Sequence, residues 1–461
     1  MKRLAKTTTD EHLPQIGVVT DATAMQDILL RQFPNLTEKN WQVIGMNVKQ
    51  FHHRPGRKCD LIYGLYFENT MTGEYYRQIL SAVALPNGVA QEQFARVREQ
   101  GCFQPEVGLA VHFLAELEMI LWGFPNDPKL RRLHELVDKA TLRELLQKHW
   151  ARLRVPPDFS LIDMDTEVVK YVPQDRCTLK HRLQLQSADR ADELILFSKT
   201  YSHKTAGEAI FTVMQDLWNA PVSQSGALMV PEPLFYERDI NVVFQRGMAG
   251  SHVDEQINQI ELEPIAAKIG VALAGLQQSA VPASDYRSRK REMAEFVDGM
   301  EALCKFNQAY EAPLEAISEE LWKSLPNLTP LETVPTHGAF RLSQLLIGDG
   351  KIGLVDFDGF LYGDPILDVS SFVAHLLYLV VKGDMSPTQS RAAIRQFCRA
   401  YAETASWGLP VDVLQWYVAV MLIGKQARKC IKLAKENHAI KVEQLVEMAA
   451  AILAGKEKLM E

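Results

Sequence analysis

Residues 335–372 read PTHGAFRLSQLLIGDGKIGLVDFDGFLYGDPILDVSSF and gather side chains whose types and spacing suit phosphate and divalent-metal chemistry. Two apolar runs, 345–347 and 352–357, flank GDGK, and Asp349-Gly350 is a strong signal for a tight hairpin turn. Folding the runs back around that turn brings Gln344 roughly opposite Asp356, an amide and a carboxylate at one end of a ribbon. Such a pair suits a hard cation such as Mg2+, which takes few protein ligands and leaves room for phosphate oxygens and water. Asp358 follows two residues later and points the same way if the strand persists. It reads as a turn-forming surface acid, with a substitute base as the alternative. Asp364-Pro365 has the form of a helix start, Asp as N-cap and Pro in the first turn, so Asp364 is read as structural. His337 has no triad partner nearby and reads as a scaffold residue before a catalytic one.

The elements that must position these residues follow from periodicity. The stretches 48–67 (VKQFHHRPGRKCDLIYGLYF) and 168–185 (VVKYVPQDRCTLKHRLQL) share a Pro-x-x-basic-Cys core, Pro55 and Cys59 matching Pro173 and Cys177. Each predicts a strand, a polar turn and a second strand. A further β-rich run follows each, 75–85 and 193–203, then a helical pattern, 90–101 and 207–218. This is either a duplication or a chance likeness between hairpins; aligned without gaps, it sets Ser81 opposite Lys199. Residues 127–150 predict an amphipathic helical connector ending near Pro156-Pro157, and 228–253 two strands and a loop. From Gln256 onward helices dominate, over 263–279, 291–310, 412–437 and 441–458, and the acidic pattern 311–322 predicts a solvated helix face. The expected fold is α+β and two-lobed, a β-rich small lobe and a helical large lobe with a cleft at the join, preceded by an N-terminal α+β domain that repeats the small lobe if the duplication is real. The expected domains are 1–155, 156–250 and 251–461.

Bulk properties narrow the function classes. With 461 residues, 47% of them hydrophobic, the chain can bury the cores of two or three packed units. A net charge of −7 without a dense Lys/Arg run argues against nucleic-acid and membrane-surface partners. Cys59, Cys102, Cys177, Cys304, Cys398 and Cys430 are scattered without a CxxC pair, so neither a zinc cluster nor a disulfide framework is expected. That usage fits a reducing compartment, the cytoplasm. Residues 1–15 carry positive charge with no apolar run behind it, unlike a secretory signal. GxxxxGK[ST], HExxH and GxSxG are absent.

On His337-Gly338, Gln344, VDFD ending at Asp358 and GDPILD ending at Asp368, the chain resembles the aminoglycoside phosphotransferase and choline kinase-like superfamily, distant relatives of the protein kinases. The family pattern runs His-Gly-Asp, four residues, Asn, a hairpin to an Asp, then Gly-Asp-Pro-x-x-Asp. The resemblance covers roughly residues 161–461. It implies ATP and Mg2+ as cofactors and transfer of the γ-phosphate to a hydroxyl of a small-molecule acceptor. It also implies Lys199, in LFSKTYSH, on the nucleotide phosphates with Glu208 as its helix partner, Asp356 as principal metal ligand with Gln344 second, and His337 bracing the loop. Three departures stand out. Ala339 occupies the position of the family's base Asp, and a methyl group accepts no proton; this leaves Asp358 as the substitute base. Gln344 replaces Asn, and the turn PQDR at 173–176 lacks glycine. The resemblance therefore supports either a phosphotransferase with an altered loop or a pseudokinase, a nucleotide-responsive binding module whose N-terminal domain would dock a protein partner.

Overall fold

A computed structural model of the protein describes residues 10–37, 40–98, 101–432, 437–457 and 459–460. Most of the segment expected to lack a secretory signal, 1–9, lies outside them, as do 99–100, 433–436 and 458 of the expected helices. The chain forms two compact units, Met1–Gly207 with Leu234–Phe244, and Glu208–Pro233 with Gln245–Glu461.

The first unit holds two five-stranded sheets of identical order. β1 (Trp41–Arg54), β2 (Lys58–Asn69), β3 (Tyr75–Ala84), β4 (Val111–Leu114) and β5 (Met119–Gly123) stand as β1-β2-β3-β5-β4. β6 (Ser160–Val172), β7 (Arg176–Gln186), β8 (Ala191–Tyr201), β9 (Pro233–Glu237) and β10 (Val242–Arg246) stand as β6-β7-β8-β10-β9. The likeness reaches into local geometry. Two bulges interrupt the first strand of each, at Val43/Gly45 and Val48/Gln50 and at Leu161/Asp163 and Val168/Lys170. A 3-10 turn joins the last two strands of each, Ala115–Leu117 and Arg238–Ile240, and ends in a left-handed residue, Glu118 or Asn241. The internal repeat is thus present in the fold.

The repeat also begins earlier than its strands. The segment expected as a continuous helical connector breaks into a 3-10 turn Leu133–Leu136, a helix Lys139–Lys148 and a 3-10 turn Trp150–Leu153. Asp138 stops the first turn and caps the helix, accepting from Thr141 N at 2.9 Å. A similar sequence of elements precedes the first sheet, a one-turn α-helix Ile16–Val19, then Asp21 capping Ala22–Gln32 and a 3-10 turn Pro34–Thr37 behind it. Leu133, Leu136, Leu142 and Leu146 pack on Leu179, Leu183, Leu196 and Phe244 of the second sheet. Met25, Ile28 and Leu29 pack on Leu61, Leu65 and Leu80 of the first. Each such aliphatic side chain contributes roughly 1.5–3 kcal/mol on burial.

The ungapped pairing of Ser81 with Lys199 does not hold. Asp60 pairs with Val83 and Thr178 with Lys199, and Asp60 and Thr178 each directly follow the repeated cysteine. The turn 69–74 is two residues longer than the turn 187–190, which shifts the third strand by one side-chain repeat. Val83 is therefore the counterpart of Lys199.

The second unit is mainly helical, with Leu262–Gln277, Arg289–Phe306, Glu311–Ser324, Ile366–Lys382, Pro387–Thr404, Val411–Met421 and His438–Leu453. Glu311, Glu315 and Glu319 lie exposed on a helix that buries Leu314, Ile317 and Leu321. The helix expected over 412–437 contains a π-turn, Leu422–Ala427, where Gly424 meets Gly299 so closely that a Cβ on Gly299 would lie 2.8 Å from the Gly424 Cα. Two three-stranded sheets lie among the helices. β11 (Ser251–His252), β14 (Leu345–Gly348) and β15 (Lys351–Leu354) form one; β12 (Tyr286–Arg287), β13 (Val334–Thr336) and β16 (Leu361–Gly363) form the other, in the order β12-β16-β13. The fold class is α+β, a β-rich part followed by a helical one. Among the described residues no helix is long and apolar enough to cross a membrane. All six cysteines are free thiols.

Candidate phosphotransfer site

The hairpin forms as its turn residues dictate. Asp349 and Gly350 take φ of 50° and 70°, the paired positive values of a two-residue turn, and Gly348 pairs with Lys351 and Leu345 with Leu354. Continuing that register, Val355 N donates to Gln344 O at 3.0 Å. The strand then ends. Asp356 turns into the left-handed region at φ 68°, and Phe357–Gly359 is a 3-10 turn. This turn aims the Asp356 carboxylate back at Gln344, whose Nε2 donates to Asp356 Oδ2 at 3.1 Å. The expected meeting of amide and acid is present. The expectation that Asp358 shares the direction of Asp356 fails, because no strand persists to align them; Asp358 is half-buried in the 3-10 turn.

The loop before the hairpin is held from beneath by Asp368. Its carboxylate, wholly buried in the first turn of Ile366–Lys382, accepts from His337 N at 2.6 Å and Gly338 N at 2.9 Å. Gly338 sits at φ 75°, and a Cβ there would come within 2.2 Å of Gly359 O, so the loop and the turn after Asp356 touch backbone to backbone. His337 is fully buried between the Phe340 and Phe357 rings, and its Nε2 donates to Val355 O at 3.0 Å. Burial holds its pKa below the ordinary value, so the ring is neutral. Sealed in this way, the imidazole braces the loop against the strand end and has no route for carrying a proton to an acceptor. Burial raises the Asp368 pKa, opposed by His337 and by the two amides it accepts.

Asp364 has the structural role expected of it. It accepts from Ile366 N at 3.0 Å and pairs with Arg289, whose Nε lies at 2.8 Å. Lys199 lies on β8 of the first unit, half-buried, its ammonium 5.9 Å from the centre of the Tyr201 ring. Glu208, exposed in the first turn of Ala206–Asn219, belongs to the second unit. Ala339 is half-buried in the loop itself. The structure thus gathers His337, Gln344 and Asp356 within one unit. Sequence reasoning passed over what Asp368 does; the signal was its place four residues after Asp364, which puts it in the first helical turn facing the loop.

Among the described residues no trio of His, Cys, Asp or Glu is gathered for a metal. A carboxylate and an amide at one ribbon end nevertheless fit Mg2+, which is commonly held by one or two carboxylates with phosphate and water. The Gln344 amide, turned about its last bond, offers oxygen where it now offers N–H.

The profile described as "Phosphotransferase enzyme family" matches residues 187–409. Three solved structures to which the chain is similar share little sequence with it. A choline/ethanolamine kinase family protein from Mesorhizobium loti is 14% identical, over 66% of this chain and 93% of its own, with a TM-score of 0.42. Spectinomycin phosphotransferase APH(9)-Ia, in complex with ADP and spectinomycin, is 13% identical over 68% and 98%, with a TM-score of 0.44. Aminoglycoside phosphotransferase APH(3'')-Id from Streptomyces rimosus is 16% identical over 55% and 91%, with a TM-score of 0.37. No curated protein matches. Residues 187–409, which contain the braced loop, the hairpin and Asp368, are thus the part of the chain that matches the phosphotransferase enzyme family.

Proposed function

We propose that the protein binds ATP with Mg2+ and transfers the γ-phosphate to a hydroxyl of a small molecule, using a loop that lacks the usual base. The observation that carries this reading is the hydrogen-bonded pair Gln344–Asp356 beside a loop fixed by Asp368. Lys199 would neutralise nucleotide phosphates, with Glu208 setting its position, while Asp356 and Gln344 would hold Mg2+. The bound ion would supply charge neutralisation on the phosphates. The acceptor oxygen bonds to the γ-phosphorus as the bond to the bridging oxygen breaks; the hydroxyl proton leaves to Asp358 or to water, and ADP departs. Phosphoryl transfer depends mainly on positioning and charge, so loss of a base slows it by ~10²–10⁴ without removing it. A cytoplasmic setting, where ATP is plentiful, belongs to the same reading.

Ala339 favours a second reading, a pseudokinase that binds nucleotide and regulates a partner. Incubation with radiolabelled ATP and a metabolite panel separates the two. Transfer that disappears in Asp356→Ala supports the enzyme, and a gain of about 10²-fold or more in Ala339→Asp would identify the missing base as the limiting part. A rise in melting temperature with ATP and Mg2+ but no transfer in either variant would leave the pseudokinase. Absence of any nucleotide-induced shift would remove both.

A further inference from the structure

Within the second unit a cavity of about 400 Å³ lies directly against the loop, walled by Arg341 and Ser343, by His375 and Lys382 of Ile366–Lys382, by Lys429, and by Asp254. Its size falls within the range of about 300–1,000 Å³ typical of small-molecule sites. Arg341 and Ser343 stand between Ala339 and Gln344, so one wall of the cavity is the loop itself.

The wall is cationic and carries polar groups that nothing among the described residues satisfies. The Arg341 guanidinium makes no hydrogen bond or ion pair among the described residues, and its Nε is buried. His375 is only 7% exposed, yet neither ring nitrogen has a hydrogen-bond partner among the described residues. Burial, with the charges of Lys429, Arg341 and Lys382 nearby, pushes its pKa down to about 3, so the ring is neutral, one nitrogen donating and one accepting. Lys382 is paired with Asp384, and Arg341, Lys429 and Asp254 are the other charged residues of the wall. Lys429 sits over the Tyr378 ring, 5.3 Å from its centre, which fixes the ammonium at the cavity wall. A buried polar group without a partner is rare and calls for an explanation. A planar guanidinium at a pocket wall is matched in shape by a carboxylate or phosphate, which it binds through two parallel hydrogen bonds.

We propose that this cavity binds the acceptor of the phosphotransferase reading, and that the acceptor is a hydroxyl-bearing anion, a sugar acid or sugar phosphate in type, anchored by Arg341 and Lys429 with its hydroxyls on His375 and Ser343. The proposal rests on the phosphotransferase reading for the word acceptor; the anion site itself does not. Its charge preference is opposite to that of a pocket built for aminated sugars.

The test has a binding arm without nucleotide and a transfer arm with it. In the binding arm, calorimetry with the whole protein titrates gluconate, glucose 6-phosphate, sorbitol and glucosamine. Either anion should bind at least 10-fold more tightly than sorbitol or glucosamine, and Arg341→Gln and Lys429→Gln should each lose that preference. Circular dichroism and melting temperature confirm that the variants fold. Gluconate ahead of glucose 6-phosphate, or the reverse, distinguishes carboxylate from phosphate. In the transfer arm the KM for the preferred anion should rise 10-fold or more in Lys429→Gln with the KM for ATP unchanged. Equal binding of all four compounds overturns the inference, as does competition between the anion and ATP, which would make the cavity part of the nucleotide site. Transfer to neutral or cationic acceptors alone overturns it while the phosphotransferase reading stands. Anion binding without any transfer retains the site and counts against that reading.

Discussion

In the first sheet Asp10 Oδ2 lies 2.8 Å from His53 Nε2 and accepts from Gly56 N at 2.8 Å; in the second, Asp127 Oδ2 accepts from Tyr171 OH at 2.6 Å and Gln174 N at 2.8 Å. In both, a carboxylate upstream of the capped helix clasps the turn between the first two strands. The clasp, the cap, the bulge and the left-handed corner are all repeated. What differs is the opposite face of each sheet. In the first, Val83 is 5% exposed and packs with Leu85, Ile120 and Trp122 under Phe94 and Val97 of the helix Val89–Arg98. In the second, the counterpart position carries the half-buried Lys199. Scaffold and surface have separated: one copy keeps the frame and fills this position with apolar side chains, and the other carries an amine there, the one proposed to meet nucleotide phosphates.

Exchanging those two residues should give the largest effects. Val83→Lys forces an ammonium among the apolar side chains of Ile120, Trp122 and Phe94, and it should destabilise the first sheet by roughly 3–5 kcal/mol, read from urea denaturation. Lys199→Val should cost less than about 1 kcal/mol of stability, since the side chain is half-exposed, while removing the ATP-dependent thermal shift. If Val83→Lys were tolerated and gained nucleotide binding, the first copy would be a functional small lobe and the separation would not exist.

That separation was only half legible in the sequence. Pro55 and Cys59 against Pro173 and Cys177 revealed the repeat because a turn residue and a buried residue are each constrained locally. The pairing of Ser81 with Lys199 failed because the extra residues lie in 69–74, an exposed turn whose length no pattern restricts. The same contrast holds in the second unit. Asp349-Gly350 sets the hairpin register from two residues, so the meeting of Gln344 and Asp356 could be read. The left-handed Asp356 that separates Asp358 from it depends on the contact between Gly338 and Gly359, which are far apart in sequence. The cavity was invisible because Asp254, Arg341, His375 and Lys429 come from four separated segments.

The clasps offer the next test. Asp127 is 6% exposed and also accepts from Lys129 N and Leu130 N, so Asp127→Ala strands several donors at once and should cost about 3 kcal/mol. Asp10→Ala should cost less, because Asp10 makes fewer bonds, to His53, Gly56 N and His12 N. Asp10 has its pKa lowered to about 2 by Gly56 N and His53, so its contribution is complete above the ordinary carboxylate value and is lost as the pH falls from there towards 2. Hydrogen exchange at Gly56 and Gln174 would report each clasp separately. Equal protection losses in both turns from either variant would show that the copies do not open independently.

Acid should distinguish the sheets more gently. Four residues beyond the repeated cysteines stand Tyr63 and His181, both fully buried. Tyr63 donates to Val19 O at 2.6 Å, and burial raises its pKa, so acid does not touch it. His181 lies between Thr166 Oγ1 at 2.9 Å and Ser198 Oγ at 2.7 Å, and burial lowers its pKa to about 3. The unfolded chain takes up a proton near pH 6.5 that the folded one refuses, so stability is unaffected above that value and falls as the pH drops through it towards 3. At pH 5 the loss should be about 2 kcal/mol. His181→Gln should remove that share of the difference between pH 7 and pH 5 in urea midpoints; an unchanged slope would mean that the imidazole is protonated in the fold.

The smallest effect concerns the paired turn residues. Gly56 and Gln174 occupy the same place at φ 68° and 63°, a conformation that costs a residue with a Cβ about 1–2 kcal/mol and glycine almost nothing. Gln174→Gly should therefore stabilise the second sheet by about 0.5–1 kcal/mol, the relief of strain being reduced by glycine's greater freedom in the unfolded chain, provided the amide keeps its bond to Asp127. Gly56→Ala should destabilise the first by about 1 kcal/mol through backbone conformation alone, since a Cβ there meets only His12 at an ordinary 3.4 Å. Opposite signs of similar size in the two melting temperatures would show that the turns are interchangeable parts of one plan. A loss on Gln174→Gly would mean that the glutamine side chain, and with it the turn 173–176, has been kept for binding at the cost of strain.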